Sequence, residues 1–118
     1  MFIGVPKEIK PQESRVGLTP ESVKILSSNG HNILIENNAG FEAGFDNDQY
    51  TKAGATIVKK TEDIFNDSEI IVKVKEPLSS EINMIRENQI VFTYLHLAAA
   101  KELTEGLVKS KSVCIAYE

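Results

Sequence analysis

Short apolar runs alternate with helical stretches along this whole chain, and that alternation constrains the fold more than any single motif. Phe2–Val5, Asn32–Glu36, Thr56–Val58, Ile70–Val74, Gln89–Leu95 and Val113–Tyr117 read as strands. Between them lie helices with identifiable ends. Thr19-Pro-Glu21 opens the first, with Thr19 as N-cap, Pro20 at the first helical position and Glu21 as an early carboxylate. Val23, Ile25 and Leu26 supply its apolar face, and Asn29-Gly30 ends it as a left-handed C-cap. Asp46–Lys52 is a short helix capped by Asp46 and closed by Gly54, and Thr61–Asn66 is a helical turn opened by Thr61. Ser79–Arg86 and Ala98–Lys109 complete the set, with Ile82 and Ile85 of the former packing inward. Strands that alternate with short helices form βαβ units. The predicted fold is therefore α/β, a Rossmann-like or flavodoxin-like three-layer domain whose mostly parallel sheet is flanked by helices.

At 118 residues the chain is long enough for one domain with a real core and too short for two. A formal net charge of −4 offers no global attraction to nucleic acid or an anionic membrane. No apolar run approaches a membrane span. The apolar start, Met1–Val5, has no basic flank and meets Pro6-Lys-Glu8 at once, which does not read as a signal peptide. One cysteine, Cys114, rules out an intramolecular disulfide framework and reads as a small core residue. A cytoplasmic protein is expected. The glycines at 4, 17, 30, 40, 44, 54 and 106 form neither G-x-G-x-x-G nor a P-loop, so no dinucleotide phosphate site is legible. The chain stops just after its last strand. Residues 1–118 are therefore expected to be a single-domain fragment of a longer protein.

Candidate chemistry gathers where predicted strands end, which is where open α/β sheets bind ligands. In Val91-Phe-Thr-Tyr-Leu-His-Leu-Ala-Ala99, His96 stands where an apolar strand gives out. Histidine exchanges protons near neutral pH; a core histidine satisfied by backbone groups is the alternative. Lys75 and Glu76 follow the strand that begins near Ile70, and Pro77 keeps that exit extended. Lys75 read alone is equally a solvated strand-end lysine. Arg15, in the polar segment after the first strand, offers a planar fork for a carboxylate, or is simply an exposed loop arginine. Taken together, Arg15 would clamp a carboxylate and Lys75 would donate to a neighbouring carbonyl oxygen. His96 would move a proton at that oxygen or its tetrahedral adduct. Such a set suits a small 2-oxo or 2-amino acid. Tyr94 shares the face of His96 on an extended strand and would close the pocket or belong to the core. Glu76 would approach an ammonium group or pair with Lys75. His31 reads as part of a helix-to-strand turn, and two distant histidines give no metal-ligand spacing. Glu8, Glu13, Lys59 and Lys60 read as surface charges.

Five blocks carry a family resemblance: Met1-Phe-Ile-Gly-Val-Pro-Lys-Glu-Ile-Lys10, Glu13-Ser-Arg-Val-Gly-Leu-Thr-Pro20, Val72-Lys-Val-Lys-Glu-Pro77, Phe92-Thr-Tyr-Leu-His-Leu-Ala98 and Ala116-Tyr-Glu118. In this order they closely resemble the N-terminal part of the bacterial alanine dehydrogenases. The wider family includes the α subunit of proton-translocating NAD(P) transhydrogenase and the saccharopine dehydrogenases. The Tyr-Leu-His segment favours the alanine dehydrogenases over the transhydrogenase. The resemblance implies NAD-linked oxidative deamination of L-alanine to pyruvate and ammonia. Arg15 and Lys75 match substrate-binding positions, and His96 matches the acid/base. It also implies a homo-oligomer, and NAD bound mainly by a second domain that supplies an aspartate and a glycine-rich loop. This chain alone is accordingly expected to be inactive and to expose a sheet edge or apolar face. A truncated paralogue that only binds a small carboxylate, and the corresponding piece of a transhydrogenase, are the alternatives.

Overall fold

The computed structural model describes residues 1–95 and 101–117. Six parallel strands form one sheet: β1 (Phe2–Val5), β2 (Asn32–Glu36), β3 (Thr56–Val58), β4 (Ile70–Val72), β5 (Ile90–Thr93) and β6 (Val113–Ala116). Their order across the sheet is β3-β2-β1-β4-β5-β6, the order of doubly wound dinucleotide-binding sheets. The chain builds outward from β1 to β3, then returns to lay β4 on the other side of β1. The β1–β4 seam is thus the topological switch point, where two connections leave in opposite directions and open a crevice.

Five helices join the strands: α1 (Pro20–Ser28), α2 (Asn47–Ala53), α3 (Thr61–Asp67), α4 (Ser79–Ile82) and α5 (Lys101–Ser110). Their ends follow local chemistry. Thr19 Oγ1 accepts the Ser22 N–H, Pro20 needs no N–H partner at the first position, and Gly30 takes φ +88° beyond the last turn. At α2 the Asp46 carboxylate and the Gln49 side chain cap one another's backbone N–H groups. Strand alternation divides the core in two. Ile3, Val5, Ile33, Ile35 and Val72 meet Val23 of α1 and Tyr50 of α2 on one face. Leu34, Ile71, Val91 and Leu95 meet Ile64 and Phe65 of α3 and Leu103 and Leu107 of α5 on the other. Gly4 on β1 is pressed against Ser68, whose Oγ would lie 2.0 Å from a Cβ there.

Three expectations shift. The helix expected over Ser79–Arg86 ends at Ile82 and passes into i→i+3 turns, Met84 N–H to Glu81 O and Ile85 N–H to Ile82 O. That turn sends Ile85 into the core. It also lets Arg86 and Gln89 cap the carbonyls of Phe65 and Ser68 at the end of α3. β4 stops at Val72, one residue past Ile71, its last partner on β1, and the N–H groups of Val74 and Lys75 turn instead to the Glu8 carboxylate. Cys114 is only half-buried: β6 is an edge strand, and helices cover just one of its faces among the described residues.

Candidate functional site

The carboxyl ends of β1 and β4 carry charged side chains that are not on the surface. Beyond β1, Glu8 is 7 % exposed; beyond β4, Lys73 is 1 % exposed, and Glu81 on α4 is 1 % exposed. The Lys73 ammonium donates to Glu8 Oε1 at 3.2 Å. It also lies 3.0 Å from Glu81 Oε2, an ion-pair contact without hydrogen-bond geometry. Glu8 has two further donors: the Val74 N–H to Oε2 at 3.0 Å and the Lys75 N–H to Oε1 at 3.1 Å. Glu81 Oε1 accepts the Leu78 N–H at 3.0 Å. Two carboxylates and one ammonium therefore share a dry seam at the switch point. Glu8 is not a surface charge, as its polar neighbours Lys7 and Lys10 suggested. Its carboxylate completes the backbone hydrogen bonding where the β1–β4 ladder gives out.

The segment after β1 brings in Arg15. Its side chain is 61 % exposed, but that of Glu13 is only 6 % exposed and grips it. Arg15 Nε donates to Glu13 Oε2 and Nη2 to Oε1, both at 2.9 Å, and the Arg15 backbone N–H adds a third bond to Oε2 at 2.9 Å. Glu13, read from sequence as a surface charge, is thus the partner of the guanidinium. The side-chain hydrogen bond from Arg15, helped by the Arg15 backbone N–H and by the charges of Arg15 and Lys75, holds its carboxyl down at about 2 against the opposing effect of burial. Arg15 is raised in turn, first by the Glu13 hydrogen bond. Two cations from separate segments therefore act on one carboxylate, and the Nη1 edge of Arg15 makes no hydrogen bond among the described residues.

A cleft of about 350 Å³ opens beside Arg15, lined also by Val16, Gly17, Val74, Tyr94 and Tyr117. Tyr94 is 38 % exposed and its ring stacks at 4.7 Å on Tyr117, which in turn lies 4.3 Å from Phe92. Burial raises the Tyr117 phenol, with smaller contributions from Tyr94 and Glu8. A second, smaller hollow of about 160 Å³ lies on the other side of Arg15, among Lys7, Glu8, Lys10, Glu13 and Glu42. Glu76 pairs with Lys10 and not with Lys75, because the extended exit before Pro77 carries it back toward the segment after β1. Arg15 and Tyr94 thus line one cleft together with Val74, the residue before Lys75. His31 sits at the α1–β2 turn as expected, half-buried. His96 lies outside the described residues, just past the end of β5.

Sequence reasoning missed Glu8, Glu13, Lys73, Glu81 and Thr93. One signal was available: Lys73 interrupts Ile70-Ile-Val-Lys-Val74, a run that reads as buried on both faces, and a lysine there needs a buried partner.

The profile of the alanine dehydrogenase/PNT N-terminal domain family matches residues 4–118. The chain is 47 % identical over its whole length to an alanine dehydrogenase of Methanococcus maripaludis and 49 % identical to one of Bacillus subtilis, covering 32 % and 31 % of those proteins. It spans about a third of the length of the curated relatives it matches. Among solved structures it superposes on an L-alanine dehydrogenase with a TM-score of 0.97 and 52 % identity, covering all of this chain and 32 % of that one. It superposes on a transhydrogenase from Sinorhizobium meliloti with a TM-score of 0.91 and 28 % identity, over 98 % of this chain and 33 % of that one.

Proposed function

The chain belongs to the alanine dehydrogenase/PNT N-terminal domain family, and from that premise we propose that residues 1–118 are the N-terminal part of the substrate-binding domain of an NAD-dependent L-alanine dehydrogenase. The reaction converts L-alanine, NAD and water to pyruvate, ammonia and NADH. The observation that carries the proposal is the Arg15 guanidinium, gripped along one edge by Glu13 and lining a cleft that Val74, next to Lys75, and Tyr94 share.

In this reading Arg15, fixed on one edge by Glu13, presents its Nη1 edge to the substrate carboxylate. Lys75 donates to the carbonyl oxygen of pyruvate or to the oxygen of the tetrahedral adduct. Tyr94 forms a wall of the cleft and limits the side chain the substrate can carry. His96 is the acid/base that moves a proton at the same oxygen. Glu76, which pairs with Lys10, would approach the substrate ammonium.

NAD does not fit the switch point of this sheet. A pyrophosphate there needs free backbone N–H groups and a positive helix end. The Val74 and Lys75 N–H groups are already taken by the Glu8 carboxylate, and Glu81 adds a second negative charge behind it. The proposal therefore assigns NAD to another part of the protein and gives this chain the substrate alone. No described helix is long and apolar enough to cross a membrane.

Titrating pyruvate into the labelled chain tests the reading. The amide signals of Arg15, Lys75 and Tyr94 should move together, and Arg15→Ala should weaken binding at least about ten-fold, the scale of a lost charge-assisted pair. Shifts confined to another surface, or unaltered binding by Arg15→Ala, would return Arg15 to an exposed loop residue.

A further inference from the structure

Lys75 lies three residues beyond the end of β4, one residue past Val74, whose carbonyl accepts the last backbone bond from β5, the Tyr94 N–H at 3.2 Å. Its place is fixed from both sides by buried side chains. On the β1 side its N–H donates to Glu8 Oε1 at 3.1 Å, and the preceding N–H, of Val74, donates to Oε2 of the same carboxylate at 3.0 Å. On the β5 side its carbonyl accepts the hydroxyl of Thr93, which is fully buried, at 2.9 Å. The Glu8 carboxylate cannot swing away, because Lys73 binds it and Glu81 holds Lys73 from the opposite direction. Glu81 is tied by its Oε1 to the first turn of α4.

Each ion in this seam carries a desolvation cost on the order of several kcal/mol, and buried ion pairs are often no more stabilising than apolar residues of the same size. Apolar side chains would close the seam as well. They would not hold two successive backbone N–H groups in a fixed direction, whereas a buried carboxylate with its own fixed partner does.

We propose that Glu8 and Thr93 are positioning residues for Lys75: one from the segment after β1 and the other from β5, they hold its backbone N–H and carbonyl and so set where its side chain leaves the sheet. Lys73 and Glu81 serve the clamp by fixing Glu8. The inference rests on the reading of Lys75 as a substrate contact, and it adds the residues that keep the contact in place. A displacement of about 1 Å at such a contact can cost roughly a hundred-fold.

The test compares pyruvate affinity, by calorimetry, for the unaltered chain, Thr93→Val, Thr93→Ser, Glu8→Gln and Lys75→Met, with a melting midpoint for each. Thr93→Val keeps the shape and removes only the hydroxyl donor; it should weaken binding roughly ten-fold or more, while Thr93→Ser restores the donor and should bind within about two-fold of the unaltered chain. Glu8→Gln should weaken binding at least as much, since an amide N–H2 would face a backbone N–H. Folded Thr93→Val and Glu8→Gln chains that bind as tightly as the unaltered one, with Lys75→Met still losing affinity, would overturn the clamp and leave the proposed function standing. Unchanged binding by Lys75→Met, or no binding by the unaltered chain, would overturn the functional reading and the clamp with it. A Glu8→Gln chain that does not fold leaves the decision to Thr93→Val, and loss of folding in both would make the clamp structural and overturn it.

Discussion

The Glu13 carboxyl sits at about 2, against 4.5 for an ordinary glutamate, chiefly because Arg15 donates to it. A carboxylate with a depressed value adds stability that is complete above its unfolded value. That stability is lost as pH falls through the folded value. The stability that the Arg15–Glu13 grip adds should therefore be complete above about pH 4.5 and be lost between about 4.5 and 2, while the Glu13 carboxyl carbon shift of the folded chain should move with a midpoint near 2. In Glu13→Gln the corresponding acid step at Arg15 should vanish. Tyr50 gives the opposite sign. Burial pushes its phenol up to about 12 from 10, so the unfolded chain ionises first and stability should fall as pH rises from about 10 to about 12. Its hydroxyl donates to the Leu18 carbonyl at 2.7 Å. Tyr50→Phe should lower stability by about 1 kcal/mol at neutral pH and flatten that alkaline decline. Tyr117, also raised by burial, should keep part of it. At this scale the sequence singled out Arg15 and Lys75 and passed over Glu13 and Glu8, the carboxylates that hydrogen-bond them. Arg15 and Lys75 are visible because each follows a strand. Glu8 and Glu13 are hidden because nothing near a carboxylate in Pro6–Arg15 says which way it turns. For Glu8 that depends on β4 lying beside β1, a contact made 60 and more residues later; for Glu13 it depends on the loop folding the Arg15 side chain back onto it.

Elements were more legible than side chains. The bounds of β1, β2, β3 and α1 follow from the apolar runs and from Thr19, Pro20 and Gly30, since these signals are local. α4 was overextended because Ile82 and Ile85 fit a helical spacing. Ile85 reaches the same core by a tighter turn, a choice decided by the Phe65 and Ser68 carbonyls that Arg86 and Gln89 must cap. The loop from Lys7 to Thr19 has no regular structure of its own and takes its shape from β4. Gly17 shows where they touch: a Cβ there would lie 2.5 Å from the Val72 carbonyl oxygen and 2.9 Å from its carbon. Backbone atoms of a central strand cannot yield, so Gly17→Ala should lift the loop from β4. The expected loss is about 1–3 kcal/mol in denaturant unfolding, with weaker pyruvate binding because Arg15 is only two residues upstream. A stability loss with unchanged affinity would mean that Arg15 is held by Glu13 alone.

At the scale of the whole molecule, the described residues form three layers over β1, β2 and β3 and two over β5 and β6. α1 and α2 cover one face of the first three strands and α3 the other, whereas α5 with α4 covers a single face of the last two. The periodicity of the sequence predicted helices on both faces throughout, because alternation gives the number of helices and not their sides. The uncovered face of β6 presents Val113, Ile115 and Tyr117, 48 %, 47 % and 40 % exposed, alongside half-buried Phe92. β6 is also an edge, with its outer ladder unpaired among the described residues. An apolar face next to an open edge favours pairing with another chain. A net charge of −4 spread over the surface is too small to prevent it. The 118-residue chain should therefore self-associate as its concentration rises, measured by sedimentation velocity. Ile115→Lys, which places a charge at the centre of the face without touching the core, should keep it monomeric over the same range. It should also leave pyruvate affinity unchanged, because Ile115 lies outside the cleft that holds Arg15 and Tyr94. A chain that stays monomeric without the substitution would show that the Phe92–Tyr117–Tyr94 stack shields this face well enough by itself.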